Sequence, residues 1–165
     1  MRPYYEHGGI TIYHGDSSSC EVAESDIVFT SPPYNTIAPV APSGMMREAH
    51  HKQLGGYLSH ADDMPEAEYA KWVVGIIGRF RASCRGLVWV NHKTRYRDRV
   101  GIHPLHLFFG WPVYSEVVWD RGGSITLNAR KFAPSHEFIY GFGEPHWWDD
   151  SRNTMMTVWR VGPER

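Results

Sequence analysis

A serine, two prolines and a tyrosine stand together at Ser31-Pro32-Pro33-Tyr34. Each proline fixes its own φ and lacks an N–H donor, so carbonyl oxygens and the Ser31 hydroxyl are the local polar groups. The Ser31 hydroxyl and the Pro32 carbonyl are able to accept the two protons of one exocyclic NH2 group, and Tyr34 offers an aromatic face beside them. This pattern predicts a site that holds an amino group between two acceptors.

Two acceptors at this spacing suit the methylation of an amino group on a nucleobase. The lone pair of cytosine N4 or adenine N6 is delocalised into the ring, so the nitrogen is a poor nucleophile. Acceptors that hold its protons favour a pyramidal nitrogen, and preorganised dipoles with an aromatic face stabilise the positive charge that develops. Because duplex DNA hides this atom, the base has to flip out and stack on an aromatic side chain.

The elements around the motif are predicted from local patterns. The apolar run Asp26–Thr30 is typical of a buried strand, which ends at the prolines. Upstream, Ile10–His14 alternates apolar and polar side chains and predicts a second strand. Between the two, Ser18 and Glu21 have the spacing of a capping box, which predicts a short helix through about residue 24.

A longer helix and further strands are predicted downstream. The helix has a capping box at Asp63 and Glu66, Pro65 in its first turn, and Gly86 to end it. Its apolar stripe consists of Tyr69, Trp72, Val73, Ile76 and Phe80. Strands are predicted at residues 87–90, 114–119, 137–142 and 156–161, and a short helix at 103–109.

Strands that alternate with helices predict an α/β fold with parallel strand pairs, followed by adjacent antiparallel strands in the last third of the chain. We expect one domain over residues 1–165. Residues 35–62 are rich in Pro, Gly, Ser and His without sustained periodicity, and they are predicted to form a flexible loop.

Composition limits the function classes. The net charge of −1 gives no overall basic field, and the basic stretch Lys93–Arg99 is typical either of a solvated surface or of a nucleic-acid contact. No apolar run is long enough to span a membrane, no signal peptide is recognised, and Cys20 and Cys84 form no disulfide framework, so we expect a cytoplasmic protein. Ten histidines occur without a His-Glu-x-x-His spacing, so no metal site is predicted.

The segment Thr30–Asn35 resembles motif IV of the amino-group DNA methyltransferases, the pattern (D/N/S)-P-P-(Y/F/W). The order of Ile12–Asp16, a short helix and Asp26–Thr30 before that motif is similar to the β-class, in which the catalytic motif precedes the cofactor motif. Glu116–Arg121 and Ser135–Tyr140 are similar to later segments of the same family. The resemblance covers nearly the whole chain, and motif IV is its specific part.

The resemblance implies a Rossmann-like methyltransferase sheet that uses S-adenosylmethionine (AdoMet) and acts on double-stranded DNA. It implies catalytic roles for Ser31-Pro32-Pro33-Tyr34, with Tyr34 stacked on the flipped base and Asn35 beside the substrate. Asp16 and Thr30 are implied to lie in or near the AdoMet pocket. Serine at the first motif position favours cytosine N4 over adenine N6 as the target.

The family's Gly-rich cofactor motif, D-P-F-x-G-S-G, has no counterpart in these 165 residues. We therefore expect an incomplete sheet that lacks the cofactor-motif strand, completed by a second copy of the chain or by a complementing chain that carries the motif. Two other functions stay open. One is a catalytically inactive methyltransferase remnant, and the other is a nucleic-acid-binding module that uses its aromatics and Lys93–Arg99 as a stacking groove. AdoMet binding would separate both from an enzyme.

Overall fold

The computed structural model describes residues 2–36, 64–97, 100–122, 132–133, 135–145 and 156–160. Most of the predicted loop 35–62, the predicted cap at Asp63, and Asp98 and Arg99 of the basic stretch lie outside the described residues. Within the described part of the chain, no helix combines the length and apolar character needed to cross a membrane.

Nine strands and one α-helix are described, together with a short 3-10 helix at Pro104–His106. In chain order they are β1 (Tyr5–His7), β2 (Ile10–Ile12), β3 (Val28–Thr30), α1 (Glu66–Ser83), β4 (Leu87–His92), β5 (Arg95–Arg97), β6 (Val100–Ile102), β7 (Val113–Asp120), β8 (His136–Gly143) and β9 (Val158–Arg160).

Five of the strands form a mixed sheet in the order β3-β4-β8-β7-β9. Strand β3 runs parallel to β4, with Val28 beside Val88 and Thr30 beside Val90. Strand β8 is antiparallel to both β4 and β7, and β9 is parallel to β7. The predicted parallel pairing near the motif is confirmed, and so is the antiparallel pairing of β7 with β8 in the last third. The antiparallel prediction was wrong for β9, which pairs with β7 in parallel.

Helix α1 buries Tyr69, Val73 and Ile76 of the predicted stripe, together with Ile77, which was not predicted. Trp72 and Phe80 of the stripe are only partly buried. It begins at Glu66, directly after Pro65, and ends at Ser83. The prediction that Gly86 ends the helix was wrong. Cys84 is already extended, because the chain there bridges to Ser25 at the start of the β3 segment and continues into the sheet.

The region before β3 also differs from its prediction. Residues 17–19 form a turn and residues 21–24 have no regular structure, instead of the predicted helix. The Asp16 carboxylate accepts from the Ser18 N–H at 2.8 Å, and this local bond replaces the expected capping box. Strand β2 pairs with β1 in a separate hairpin and not with the main sheet. Gly8 and Gly9 supply the two positive φ angles that a two-residue hairpin turn requires. The helix predicted at 103–109 is reduced to the 3-10 helix at 104–106, followed by turns.

The core lies between α1, the inner strands β4 and β8, and the segment after the 3-10 helix. Its fully or nearly fully buried members are Tyr69, Val73, Ile77, Cys84, Val88, Val90, Leu107, Phe108, Tyr140 and Phe142. This core supports the carboxyl end of β3 and β4, where the motif begins.

Candidate active site

The motif Ser31–Tyr34 follows β3 directly, and the parallel neighbour β4 carries Asn91 and His92 at the same end of the sheet. Because Thr30 lies beside Val90, the next residues of both strands, Ser31 and Asn91, are neighbours. Carboxyl ends of parallel strands are where α/β proteins bind ligands. The sheet register therefore joins the sequence motif to polar residues far away in the chain.

Four side chains meet in one hydrogen-bonded group. Ser31 Oγ lies 2.8 Å from Tyr34 Oη and 3.3 Å from Asn91 Oδ1. The Tyr34 hydroxyl lies 2.6 Å from Asn91 Oδ1 and 3.2 Å from the Glu137 carboxylate on β8. The motif's hydroxyl groups are therefore oriented by acceptors on two other strands.

Glu137 links this group to a cation. Its side chain is buried, and its other carboxylate oxygen accepts from Arg121 at 2.7 Å. Arg121 follows β7, and its own side chain is half exposed. A buried carboxylate is costly unless it is paired, and Arg121 supplies the partner of Glu137 beside Tyr34.

The Tyr34 ring already contacts protein groups. Its centroid lies 4.8 Å from that of His92, with the rings tilted by 40°, and the Lys93 ammonium lies 5.1 Å from the ring centre. A base that stacks on the face below Lys93 would have to displace that flexible side chain. Stacking of a base on Tyr34 thus stays a prediction, and the Lys93 side chain would compete with the base for one ring face.

A core side chain holds the carbonyl of the motif's second proline, Pro33. The Tyr69 hydroxyl donates to the Pro33 carbonyl at 2.7 Å and lies 2.8 Å from His92 Nε2. His92 Nδ1 lies 2.8 Å from the Lys93 carbonyl. Burial lowers the pKa of His92 to about 4, and the nearby charges of Arg95 and Lys93 lower it as well. A neutral, buried histidine therefore helps to fix the backbone under the motif.

Asn35 ends the described motif segment in a special conformation. It is fully buried with a φ of 53°, a left-handed conformation that asparagine tolerates better than most residues. Its side-chain amide donates to the Met64 carbonyl at 2.8 Å, and Arg97 donates to the Asn35 carbonyl at 2.7 Å. These contacts tie the end of the motif to the start of α1. The predicted substrate contact of Asn35 stays a prediction.

Two arginines of the basic stretch form ion pairs with helix α1. Arg95 and Arg97 both pair with Glu66 on α1, at 2.8 and 3.0 Å. The Arg95 side chain is only 1% exposed and lies over the Tyr69 ring. The interpretation of this stretch as a solvated surface is therefore wrong for Arg95, and a stacking groove for nucleic acid stays a prediction. The charge of Arg95 supports the fold.

The two predicted cofactor residues lie in different places. Thr30 directly precedes Ser31 at the end of β3. The turn after Asp16 is held by Arg79, which donates to the carbonyls of Ser18 and Cys20. Arg79 lies ten residues after Tyr69 on α1, about 15 Å further along the helix axis. The structure brings Thr30 to the motif but does not bring Asp16 there.

A cleft of about 480 Å³ opens beside the hydrogen-bonded group. It is lined by Thr36, Lys93, Thr94, Arg95, Tyr96, Arg121, Phe132, Ala133, His136 and Glu137. The lining combines aromatic rings, cations and one carboxylate. Such a lining suits a ligand that has a planar polar ring and a negatively charged group next to the ring.

Sequence reasoning found the motif but missed most of its partners. Asn91 and His92 carried a signal, since two polar residues end an otherwise apolar strand. Glu137 lies within Ser135–Tyr140, which resembled a family segment without a role for this carboxylate, whereas the structure buries it against Tyr34 and Arg121. Tyr69 was predicted only as part of an apolar stripe.

Comparison with known proteins adds the family. The family profile of the N6/N4 DNA methylases, described as DNA methylase, matches residues 25–157. Type II methyltransferase M.ScaI from Streptomyces caespitosus is 28% identical over 158 residues, covering 87% of this chain and 44% of that protein. The chain thus spans less than half the length of this curated relative.

Solved structures show the same fold at low sequence identity. A PvuII DNA methyltransferase, described as cytosine-N4-specific, aligns with a TM-score of 0.57 and 12% identity, over 93% of this chain and 57% of that one. A DNA modification methylase from Thermus thermophilus aligns with a TM-score of 0.51 and 12% identity, over 91% of this chain and 66% of that one. The family profile matches most of the sequence, so the chain belongs to the N6/N4 DNA methylase family, as the resemblance of Thr30–Asn35 predicted.

Proposed function

We propose that this chain is a site-specific DNA methyltransferase, or the catalytic part of one. It transfers a methyl group from AdoMet to the exocyclic amine of a base flipped out of double-stranded DNA. The observation that carries the proposal is the position of Ser31-Pro32-Pro33-Tyr34 at the carboxyl end of β3, hydrogen-bonded to β4 and β8. Membership of the family and the M.ScaI relative support it.

The chemistry follows from the acceptors. Ser31 Oγ and the Pro32 carbonyl hold the two N–H protons of the target amine, which directs the nitrogen lone pair out of the ring plane. The Tyr34 ring and the local dipoles stabilise the charge that grows on nitrogen, and no group has to reorganise during the step. The Tyr69 hydroxyl keeps the Pro33 carbonyl, and thus the motif backbone, in one position.

AdoMet would supply the methyl group. The position of Thr30 fits a contact with AdoMet beside the motif. Thr30 lies directly before Ser31, and β3 is an edge strand among the described strands. Asp16 does not lie beside the motif. Its carboxylate accepts from the Ser18 N–H, and Arg79 in the later part of α1 anchors this turn. We infer that a cofactor-motif strand from outside these residues pairs with the outer edge of β3 and supplies the remaining contacts.

Cytosine N4 is the proposed target in preference to adenine N6, because serine stands at the first motif position. The fold neighbour from PvuII is itself described as cytosine-N4-specific, which supports the same choice. We expect N4-methylcytosine in DNA that has been incubated with AdoMet and the active assembly, digested, and analysed by mass spectrometry. N6-methyladenine alone would reject the cytosine preference and keep the enzyme class.

A second measurement separates the enzyme from its alternatives. Calorimetry with AdoMet should show binding once a segment that carries the cofactor motif is present. DNA binding without AdoMet binding would instead identify a non-catalytic nucleic-acid module. AdoMet binding without methyl transfer to any DNA would identify an inactive remnant, and either result would overturn the proposed function.

A further inference from the structure

We propose that Asn91 and Glu137 are positioning residues that fix the direction of the Ser31 hydroxyl, so that Ser31 acts only as an acceptor toward the target amine. The proposal rests on the function proposed above and deepens it. A serine hydroxyl is both a donor and an acceptor and rotates freely, unlike an aspartate carboxylate, which only accepts. A motif that begins with serine therefore needs something else to set its direction.

The two partner oxygens around Tyr34 act as acceptors only. Asn91 Nδ2 donates to the Phe138 carbonyl at 3.2 Å, so the amide is oriented with Oδ1 toward Ser31 and Tyr34. Glu137 receives a hydrogen bond from Arg121 at 2.7 Å on one oxygen and faces Tyr34 with the other. A carboxylate in contact with a guanidinium has no proton to give.

A count of protons then fixes the remaining directions. The Tyr34 hydroxyl has one proton and faces two acceptors, at 2.6 Å from Asn91 and 3.2 Å from Glu137, so it donates to them. At the 2.8 Å contact between Ser31 Oγ and Tyr34 Oη, the serine must therefore be the donor, with Asn91 Oδ1 at 3.3 Å as its alternative acceptor.

Both options direct the only Ser31 proton into the protein. The serine lone pairs are then left to accept N–H protons from a substrate. The hydrogen-bonded group thereby gives Ser31 the acceptor character that an aspartate would have at the same position. A reversed group, with the Ser31 proton directed outward, would oppose the amine protons and weaken the grip.

The first test changes each positioning residue in the assembly that methylates DNA. Glu137→Gln replaces an acceptor by an amide that is able to donate to Tyr34, and Asn91→Leu removes the other acceptor. We expect each change to lower kcat about tenfold, the size of one hydrogen bond, with the KM for AdoMet unchanged. Glu144→Gln is the matched control, because this exposed carboxylate lies just beyond the other end of β8, and it should keep the wild-type kcat.

A pH profile gives a readout that a merely structural role would not change. Asn91→Asp keeps an acceptor oxygen but introduces a carboxyl group beside Glu137, which raises the pKa of the new group. Five other charged or titratable groups surround it: Arg121 after β7, His92 on β4, Lys93 after β4, Tyr34 after β3 and Tyr69 on α1. Below that pKa the new proton reverses the chain of donors. The variant should therefore acquire an acid limb in kcat that the wild type lacks.

The results separate this proposal from the proposed function. Failure of the wild-type assembly to methylate any DNA would count against the proposed function. In that case the hydrogen bonding of Tyr34 is measured by NMR of protein labelled with 13Cζ-tyrosine. We expect the Tyr34 resonance, assigned with Tyr34→Phe, to shift in Asn91→Asp and Glu137→Gln but not in Glu144→Gln. Wild-type kcat in both Glu137→Gln and Asn91→Asp at all pH values, or an unmoved Tyr34 resonance, would overturn the positioning role.

Discussion

At the residue scale, the site is defined by which polar atoms are already engaged inside the protein. The Pro33 carbonyl is held by Tyr69, the Asn35 amide by Met64, and the Tyr34 hydroxyl by Asn91 and Glu137. Such preorganisation keeps the atoms that face a substrate in fixed positions. The grip on the target amine therefore depends mainly on Ser31 and the Pro32 carbonyl.

Removal of the Ser31 hydroxyl tests this directly. Ser31→Ala should lower kcat on the order of 10²–10³-fold, by analogy with the loss of one preorganised hydrogen-bonding group, and should spare AdoMet affinity. Tyr34→Ala should also lower activity, through a loss of roughly 1–3 kcal/mol of base stacking. Steady-state kinetics and calorimetry measure both, with Ser83→Ala at the far end of α1 as control. Unchanged turnover in both motif variants would remove the motif as the active site.

His92 predicts a pH dependence of stability. Its pKa is lowered by burial to about 4 in the folded protein, from 6.5. Between these values the unfolded chain binds more protons, so the free energy of unfolding falls as the pH decreases through this range and is restored above pH 6.5. From pH 7.5 to 5 the loss from this one group is about 2 kcal/mol.

Urea denaturation at several pH values checks this prediction. His92→Gln removes the titrating group, so its stability should vary less between pH 7.5 and 5 than that of the wild type. Burial also lowers the pKa of His103, which contributes in the same direction and is common to both proteins. An identical pH dependence in the two proteins would contradict the assignment to His92.

At the element scale, the sequence predicted what continuous apolar patterns specify. Strands β4, β7 and β8 and helix α1 were found because their apolar patterns are long enough to specify an element. The run Asp26–Thr30 was also found, but its prediction as a buried strand was wrong, since β3 is Val28–Thr30 and Phe29 is exposed. The helix after Ser18 failed because the same polar residues also form local turns, and the Asp16 carboxylate decides between the two. The hairpin partner β1 was missed, since three exposed residues leave no pattern.

The candidate site shows the same limit. The motif was readable because its four residues are adjacent in the chain. Its partners Asn91 and Glu137 lie 57 and 103 residues from Tyr34, and only the sheet register joins them. No local pattern encodes that register, so the positioning group required the structure.

Two glycines give an opposite pair of stability predictions for the elements. A Cβ on Gly143, whose φ is 109°, would lie 2.8 Å from the Gly86 carbonyl oxygen, so Gly143→Ala should destabilise the protein by about 2 kcal/mol. Gly75 on α1 is exposed with open space around it, and Gly75→Ala should stabilise by about 0.5–1 kcal/mol. Thermal unfolding measures both. A stabilised Gly143→Ala would show that the junction of β8 and β4 is not constrained.

At the scale of the whole molecule, the sheet ends on an apolar strand. Strand β3 pairs with β4 on one side and with none of the other described strands. Phe29 on β3 and Ile27 before it are each 61% exposed. An unpaired apolar edge favours pairing with another chain unless it is covered. The edge lies next to Thr30 and Ser31, so whatever covers it also adjoins the proposed methyl-transfer site.

This arrangement predicts the behaviour of the purified chain. Alone, it should self-associate with increasing concentration and bind AdoMet weakly or not at all, because the proposed cofactor-motif strand pairs with the same edge. Phe29→Lys adds a charge to the edge and should shift light scattering toward monomer. Phe109→Lys is the matched control, since that phenylalanine is 94% exposed but lies outside β3, and it should leave self-association unchanged. A strictly monomeric wild type that binds AdoMet with micromolar affinity would contradict the need for a cofactor-motif strand from outside these residues, because the cofactor site would then be complete without any partner at β3.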